Sequence, residues 1–253
     1  MANNSATPPL PATAQAAAPF SPTLLQKIEA SLELLRRAVR DYGKVVYASS
    51  LGAEAVVLTD LIWTHVPDID IVSIDTGRLP EETLALLERL ERRYNRRIRV
   101  IYPDAQALER YVQQHGINGF YNGLEQRLSC CNIRKVEPFK RAVAGFSAWV
   151  TGVRREQSEQ RSQAQPLVHD EQSGLQKVSP LLDWSEQDVW DYIRARQLPY
   201  NPLHDRGYPS IGCAPCTRAV EPGQDQRSGR WWWEDPESRE CGLQPRKRPA
   251  AAQ

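Results

Sequence analysis

A chain of 253 residues can bury a sizeable core, as one large α/β domain or two small ones. Lys and Arg number 32 against 31 Asp and Glu, so bulk charge marks neither a nucleic-acid nor a membrane partner, and no apolar run approaches the length of a membrane span. Five cysteines, in an adjacent pair, a C-x-x-C pair and one single, suit cytosolic metal chemistry better than a secreted disulfide framework and predict a cytoplasmic protein.

Residues 1–20 are rich in Ala, Pro and Thr, with no basic start, no continuous apolar core and no arginine. That composition predicts a disordered arm rather than a signal or transit peptide. Ser21-Pro22 then reads as a helix N-cap with proline at the first helical position. Leu25, Ile28, Leu32, Leu35 and Val39 recur at helical spacing, and Gly43 is a stop.

The β-branched run 44–48 predicts a strand ending in Ser49-Ser50-Leu51-Gly52-Ala53-Glu54, with a buried helix over 55–65. A small-residue loop before a helix start offers free backbone N–H groups to an anion. The same turn serves packing alone in many α/β chains, so both readings stand on these residues. A second strand, 69–74, ends in Asp75-Thr76-Gly77-Arg78. Pro80-Glu81-Glu82 opens a helix with Leu84, Leu87, Leu90 and Tyr94 on one face. A third strand over 97–102, helices over 105–114 and 136–143, and a strand over 148–151 continue the alternation. Alternating β and α predicts a doubly wound, mostly parallel sheet, with ligands at the carboxyl ends of the strands.

The strand 148–151 runs into Gly152-Val-Arg154-Arg155-Glu156-Gln-Ser158-Glu159-Gln-Arg161. Its three arginines form either an anion site or a solvated loop neutralised by Glu156 and Glu159. Segments 166–169 and 176–179, with Ser173-Gly174 between them, read as a hairpin. Ser185-Glu-Gln-Asp188 is a capping-box-like start for a helix holding Val189, Tyr192 and Ile193. Residues 198–210 form a Pro- and Tyr-rich loop, and Trp231, Trp232 and Trp233 either dock the tail on the body or anchor a partner.

The cysteines carry the chemistry. Cys130 and Cys131 sit in Arg127-Leu-Ser-Cys-Cys-Asn-Ile-Arg-Lys135, and neighbours in sequence form a strained disulfide. Their use is as two thiolates aimed at a third object. Gly212-Cys213-Ala-Pro215-Cys216 supplies a second pair in a turn stiffened by proline. Two such pairs make an all-cysteine site for zinc or an iron–sulfur cluster. A redox dithiol or packed small hydrophobes are the plainer readings, but both pairs have charged or turn-forming flanks. Cys241 is left over, in Glu240-Cys241-Gly242-Leu243.

Cys130-Cys131, Cys213-x-x-Cys216 and the E-C-G-L tail, with the 49–54 loop, Asp75-Thr76-Gly77 and Gly152-Val-Arg-Arg-Glu-Gln-Ser, resemble the assimilatory adenylyl-sulfate (APS) reductases. These belong to the phosphoadenylyl-sulfate (PAPS) reductase family, on an adenine-nucleotide α-hydrolase-like fold. The resemblance runs over roughly residues 25–245 and departs where the family tail reads E-C-G-L-H and this one has Gln244. It implies reduction of APS to sulfite and AMP, in sulfate assimilation toward cysteine, with thioredoxin as reductant. Cys241 is then the nucleophile that becomes S-sulfocysteine, and Cys130, Cys131, Cys213 and Cys216 hold a [4Fe-4S] cluster. Ser49, Ser50, Gly52, Asp75, Thr76 and Gly77 hold the nucleotide, and Lys135, Arg161, Arg227 and Arg230 its anionic groups. Residues 21–226 form the nucleotide- and cluster-binding domain, and 227–253 a mobile tail carrying the thiol.

Three other readings compete. PAPS reductases usually lack the four cluster cysteines, although one enzyme can take both sulfonucleotides. ATP pyrophosphatases of this fold class, with a structural four-cysteine zinc, show S-G-G-x-D-S in the first loop, which Ser49-Ser-Leu-Gly-Ala-Glu54 does not match. A non-enzymatic redox or zinc regulator needs neither the tail nor the anion loops.

Overall fold

The structure is a computed structural model that describes residues 20–239 and 243. The expected arm therefore lies outside the described residues except for Phe20, whose ring stacks on Tyr192 with centroids 5.2 Å apart. Helix α1, Pro22–Tyr42, starts where expected: the Ser21 hydroxyl accepts from the Leu24 amide at 3.2 Å, and Gly43 ends it at φ 69°.

Strands β1 (Val45–Ser49), β2 (Asp70–Ile74), β3 (Arg99–Ile101) and β4 (Ala148–Val150) alternate with α2 (Ala53–His65), α3 (Glu81–Tyr94), α4 (Ala105–His115), α5 (Leu124–Cys131) and α6 (Glu137–Val143). Then come the hairpin β5 (Leu167–Asp170) and β6 (Leu175–Val178), and α7 (Glu186–Ala195). The sheet order is β3-β2-β1-β4-β6-β5, parallel throughout except for the β5–β6 pair. The doubly wound fold expected from the alternation is the one observed.

Successive side chains of a strand point to opposite faces, and β1 is covered on both. Val45 and Tyr47 join the large core with α1, α2, α3 and α7, while Val46 packs with Val72, Phe139, Ala142 and Trp149 under α6. From β1 the chain first winds outward through β2 and β3, then returns to β4 on the other side. The carboxyl ends of β1 and β4 diverge at that switch, which leaves a crevice for a ligand.

Candidate active site

A cavity occupies that crevice. Ser49, Ser50 and Gly52 from the β1–α2 loop line it, with Ser73 and Ile74 from β2 and Thr151 and Gly152 after β4. Gly52 is the N-cap of α2 and supplies no side-chain cap, so the first-turn N–H groups have no acceptor from that position. Leu51 sits at φ 58°, a left-handed conformation costly for a side chain of this kind, as strained loops at functional sites often are.

The second predicted loop divides its labour. Thr76 lines the cavity, whereas Asp75 and Gly77 shape the turn: the Asp75 carboxylate accepts from the Gly77 amide at 2.8 Å. Gly77 has φ +69°, and a Cβ there would stand 3.3 Å from the Arg134 guanidinium. The four expected cations, Lys135, Arg161, Arg227 and Arg230, all line the cavity. Arg161 donates to the Gln157 side-chain oxygen at 2.5 Å, Arg227 to the Arg239 carbonyl at 3.3 Å, and Arg230 to the Ser210 hydroxyl at 3.4 Å. Arg230 lies so close over Gly212 that a Cβ there would fall 2.1 Å from the guanidinium.

Of the three arginines after β4, only Arg161 lines this cavity. Arg154 is buried and donates to Glu54 at 2.8 Å, and Arg155 pairs with Asp183. Sequence reasoning missed the apolar part of the lining, Phe139 and Trp149, whose rings meet edge to face at 4.9 Å. It also missed His204 and Leu243 as cavity residues. No local signal marks Phe139 or Trp149, because each reads as an ordinary core residue of its element.

The helix expected over 136–143 begins much earlier. Leu124–Cys131 is α-helical, Asn132–Val136 forms a π turn, and α6 follows without a break. Cys130 and Cys131 end α5, while Cys213 is the N-cap and Cys216 the last residue of the short 3-10 turn Ala214–Cys216. All four are free thiols and line one small cavity with Thr76, Arg127, Arg134, Lys135, Arg230 and Trp231. The Thr76 hydroxyl lies 3.2 Å from the Cys213 sulfur, and Arg134 donates to the Thr76 carbonyl at 2.6 Å.

Burial raises the Cys130 thiol pKa, with Arg134 pulling against it. Burial and then the neighbouring Cys213 and Cys131 sulfurs push Cys216 up to about 12. Such thiols do not ionise together without a cation among them. Arg134 Nε and Trp231 Nε1 are buried donors with no acceptor in the structure, both on residues of this cavity. Four sulfurs, surrounding cations and two donors lacking acceptors fit a negatively charged metal–thiolate centre. Among the described residues, no group of three or more His, Cys, Asp and Glu side chains is gathered as a ready single-ion site. Thr76, Lys135 and Arg230 line both cavities and form their common wall.

The tryptophan run docks the tail base on the body. Trp231 is 2% exposed and Arg230 pairs with Thr217 in a β-bridge. Glu240, Cys241 and Gln244 lie outside the described residues.

The phosphoadenosine phosphosulfate reductase domain matches residues 44–219. The chain belongs to the phosphoadenosine phosphosulfate reductase family. It is an enzyme of an oxidoreductase family. An adenosine 5′-phosphosulfate reductase of Allochromatium vinosum is 52% identical over 89% of this chain and 88% of its own length. Another, of Burkholderia cepacia, is 50% identical over 88% and 90%. The crystal structure of a phosphoadenylyl-sulfate reductase from Candida auris superposes with a TM-score of 0.65 at 26% identity, over 81% of this chain and all of the other. Candida glabrata FMN adenylyltransferase shares the fold at TM-score 0.54 and 15% identity, over 86% and 75%. Among the described residues of this family member, no helix is long and apolar enough to cross a membrane.

Proposed function

We propose that this chain reduces adenosine 5′-phosphosulfate to sulfite and AMP, with reduced thioredoxin supplying the two electrons, in assimilatory sulfate reduction in the cytoplasm. The observation that carries the reading is the common wall: the cation-lined ligand cavity and the four-thiol cavity share Thr76, Lys135 and Arg230. Leu243, two residues beyond Cys241, lines the ligand cavity as well. Relatives of about half identity bear the name of this activity.

The Ser49–Gly52 loop and the turn Asp75–Gly77 shape the nucleotide's place, and Phe139 and Trp149 offer its base an apolar wall. Lys135, Arg161, Arg227 and Arg230 meet the phosphate and sulfate charge. The Cys241 thiolate attacks the sulfur of the sulfate group. The bond from that sulfur to the bridging oxygen breaks, and AMP leaves with the electron pair. Cys241 then carries S-sulfonate. A thioredoxin thiolate attacks the Cys241 sulfur, sulfite departs, and the second thioredoxin thiol frees Cys241 from the mixed disulfide. Cys130, Cys131, Cys213 and Cys216 would hold a [4Fe-4S] cluster, which would supply structural anchorage and fixed negative charge, and Lys135 lines the same cavity. Cys241 meets substrate first and reductant second, so its segment moves.

The test is sulfite release from adenosine 5′-phosphosulfate and from its 3′-phosphorylated analogue in parallel, with reduced thioredoxin. Turnover of the first at the higher kcat/KM is expected. Incubation with that substrate and no thioredoxin adds one sulfonate mass to the Cys241 peptide. Cys241→Ser keeps nucleotide binding and metal but releases no sulfite. Zinc in place of iron in anaerobically purified protein returns the four-cysteine zinc reading.

A further inference from the structure

Arg127 lies three residues before Cys130 on α5, and its side chain is 0% exposed. Its Nε donates to Glu234 Oε1 at 2.7 Å and an Nη to Glu234 Oε2 at 2.5 Å, a two-pronged pair with a carboxylate only 6% exposed. The same Nη reaches the Ser238 carbonyl at 2.7 Å, and the guanidinium carbon stands 4.9 Å from the Trp231 ring centre. From the other side, Arg239 folds back to donate to the Glu234 carbonyl at 2.9 Å and the Trp232 carbonyl at 3.3 Å. The last described stretch before Cys241 is thus tied around one guanidinium on the helix of Cys130 and Cys131.

A buried ion pair is a poor device for stability, because apolar residues of equal volume commonly serve as well. Its strength is geometric, since a guanidinium fork and a carboxylate fix each other's position and direction. The tail base already has a separate anchor. Arg230 bridges Thr217, the Arg218 amide donates to the Gly229 carbonyl at 3.0 Å, and the Trp231 amide to the Cys216 carbonyl at 3.2 Å. That first anchor fixes the cavity arginine Arg230. The second, Arg127 with Glu234 and Ser238, acts on residues nearer the thiol.

We propose that the Arg127–Glu234 pair is a positioning device for the reaction, setting the place and direction of residues 234–239, from which the chain continues to Cys241. It ties that stretch to the helix bearing Cys130 and Cys131. This rests on the reading of Cys241 as the attacking thiol. Arg127 and Glu234 touch no reacting atom and act through the tail they hold.

The test uses metal-loaded protein and the variants Glu234→Gln and Glu234→Asp. Three quantities are read: iron content, AMP affinity, and the single-turnover rate at which Cys241 gains sulfonate without thioredoxin. Glu234→Gln is expected to keep its iron and to bind AMP within about threefold of the parent, because the first anchor is intact. Its sulfonation rate falls roughly tenfold or more, within the ~100-fold that a misplacement near 1 Å can cost. Glu234→Asp, which keeps the charge on a shorter stem, recovers part of that rate, and it carries the test if Glu234→Gln does not fold. A merely stabilising pair lowers the melting temperature and leaves the rate of the folded fraction unchanged, which overturns the proposal. Equal sulfonation in parent and Glu234→Gln overturns it too. A parent protein that takes no sulfonate on Cys241 overturns the nucleophile reading instead, and the role assigned to the pair falls with it.

Discussion

His204 lines the ligand cavity in a loop whose sequence carries no mark of function. Burial lowers its pKa, against the pull of Glu54, a backbone hydrogen bond to Tyr208, and the Asp205 and Glu186 carboxylates. Its ring packs edge-on to Trp190 at 5.3 Å, and Nε2 is buried without a partner. The sign of the consequence is fixed. An unfolded histidine takes a proton near pH ~6.5, and the folded one resists it, so stability falls as pH drops below that value. Chemical denaturation at pH 7.5 and 5.5 is expected to show this loss, and His204→Gln to show a smaller one. An unchanged difference between the two pH values in His204→Gln assigns the loss to other groups. His204 was invisible in the sequence because its neighbour Trp190 lies on a separate element, outside any local pattern. The cysteines stood at the other extreme: their spacing carries chemistry whatever the fold.

Strands and most helices were legible because apolar period and turn residues agree, as at Ser21-Pro22 and Ser185-Asp188, both of which cap their helices as read. The stretch 124–136 was not. Its Ser129-Cys130-Cys131-Asn132 core is poor in strong helix formers, and a π turn has no 3.6-residue period to detect. Yet that element places Cys130, Cys131 and Arg134 on the four-thiol cavity and Lys135 on both cavities. The strand expected over 97–102 shortens to Arg99–Ile101, as an edge strand paired on one side does. The family resemblance implied Arg227 and Arg230 as cations for the substrate, and both line the ligand cavity. Arg227→Ala and Arg230→Ala are each expected to weaken nucleotide binding by about 1.5–3 kcal/mol, the worth of a charge-assisted hydrogen bond. Calorimetric titration with AMP and with the sulfonucleotide checks this. Unchanged affinity in both variants makes them ordinary arginines of the tail base.

The order β3-β2-β1-β4-β6-β5 brings to one crevice residues as far apart in the chain as Ser49 and Arg230. The family resemblance, carried by the cysteine and loop motifs, named these residues. Nothing in local periodicity says that the Cys213 turn closes against the β2–α3 loop, which takes the assembled fold to see. There the Ala214 amide donates to the Arg78 carbonyl at 2.8 Å, and Thr76 meets the Cys213 sulfur. Tyr121 adds a hydrogen bond to the Pro215 carbonyl at 2.6 Å. The Cys213–Cys216 turn is therefore one support of the wall that Thr76, Lys135 and Arg230 present to the ligand. If the four cysteines hold the proposed metal centre, its loss leaves the Cys130 and Cys216 thiols, whose pKa burial raises, protonated, and the cations around them lose the negative charge they face. Cys213→Ser is accordingly expected to lose the iron and also to weaken AMP binding by roughly tenfold, although Cys213 lies outside the lining of the ligand cavity. Iron analysis and AMP titration of the same preparation check both parts. Full AMP affinity in iron-free, folded Cys213→Ser shows two independent cavities that merely adjoin, and leaves the common wall without a role in binding.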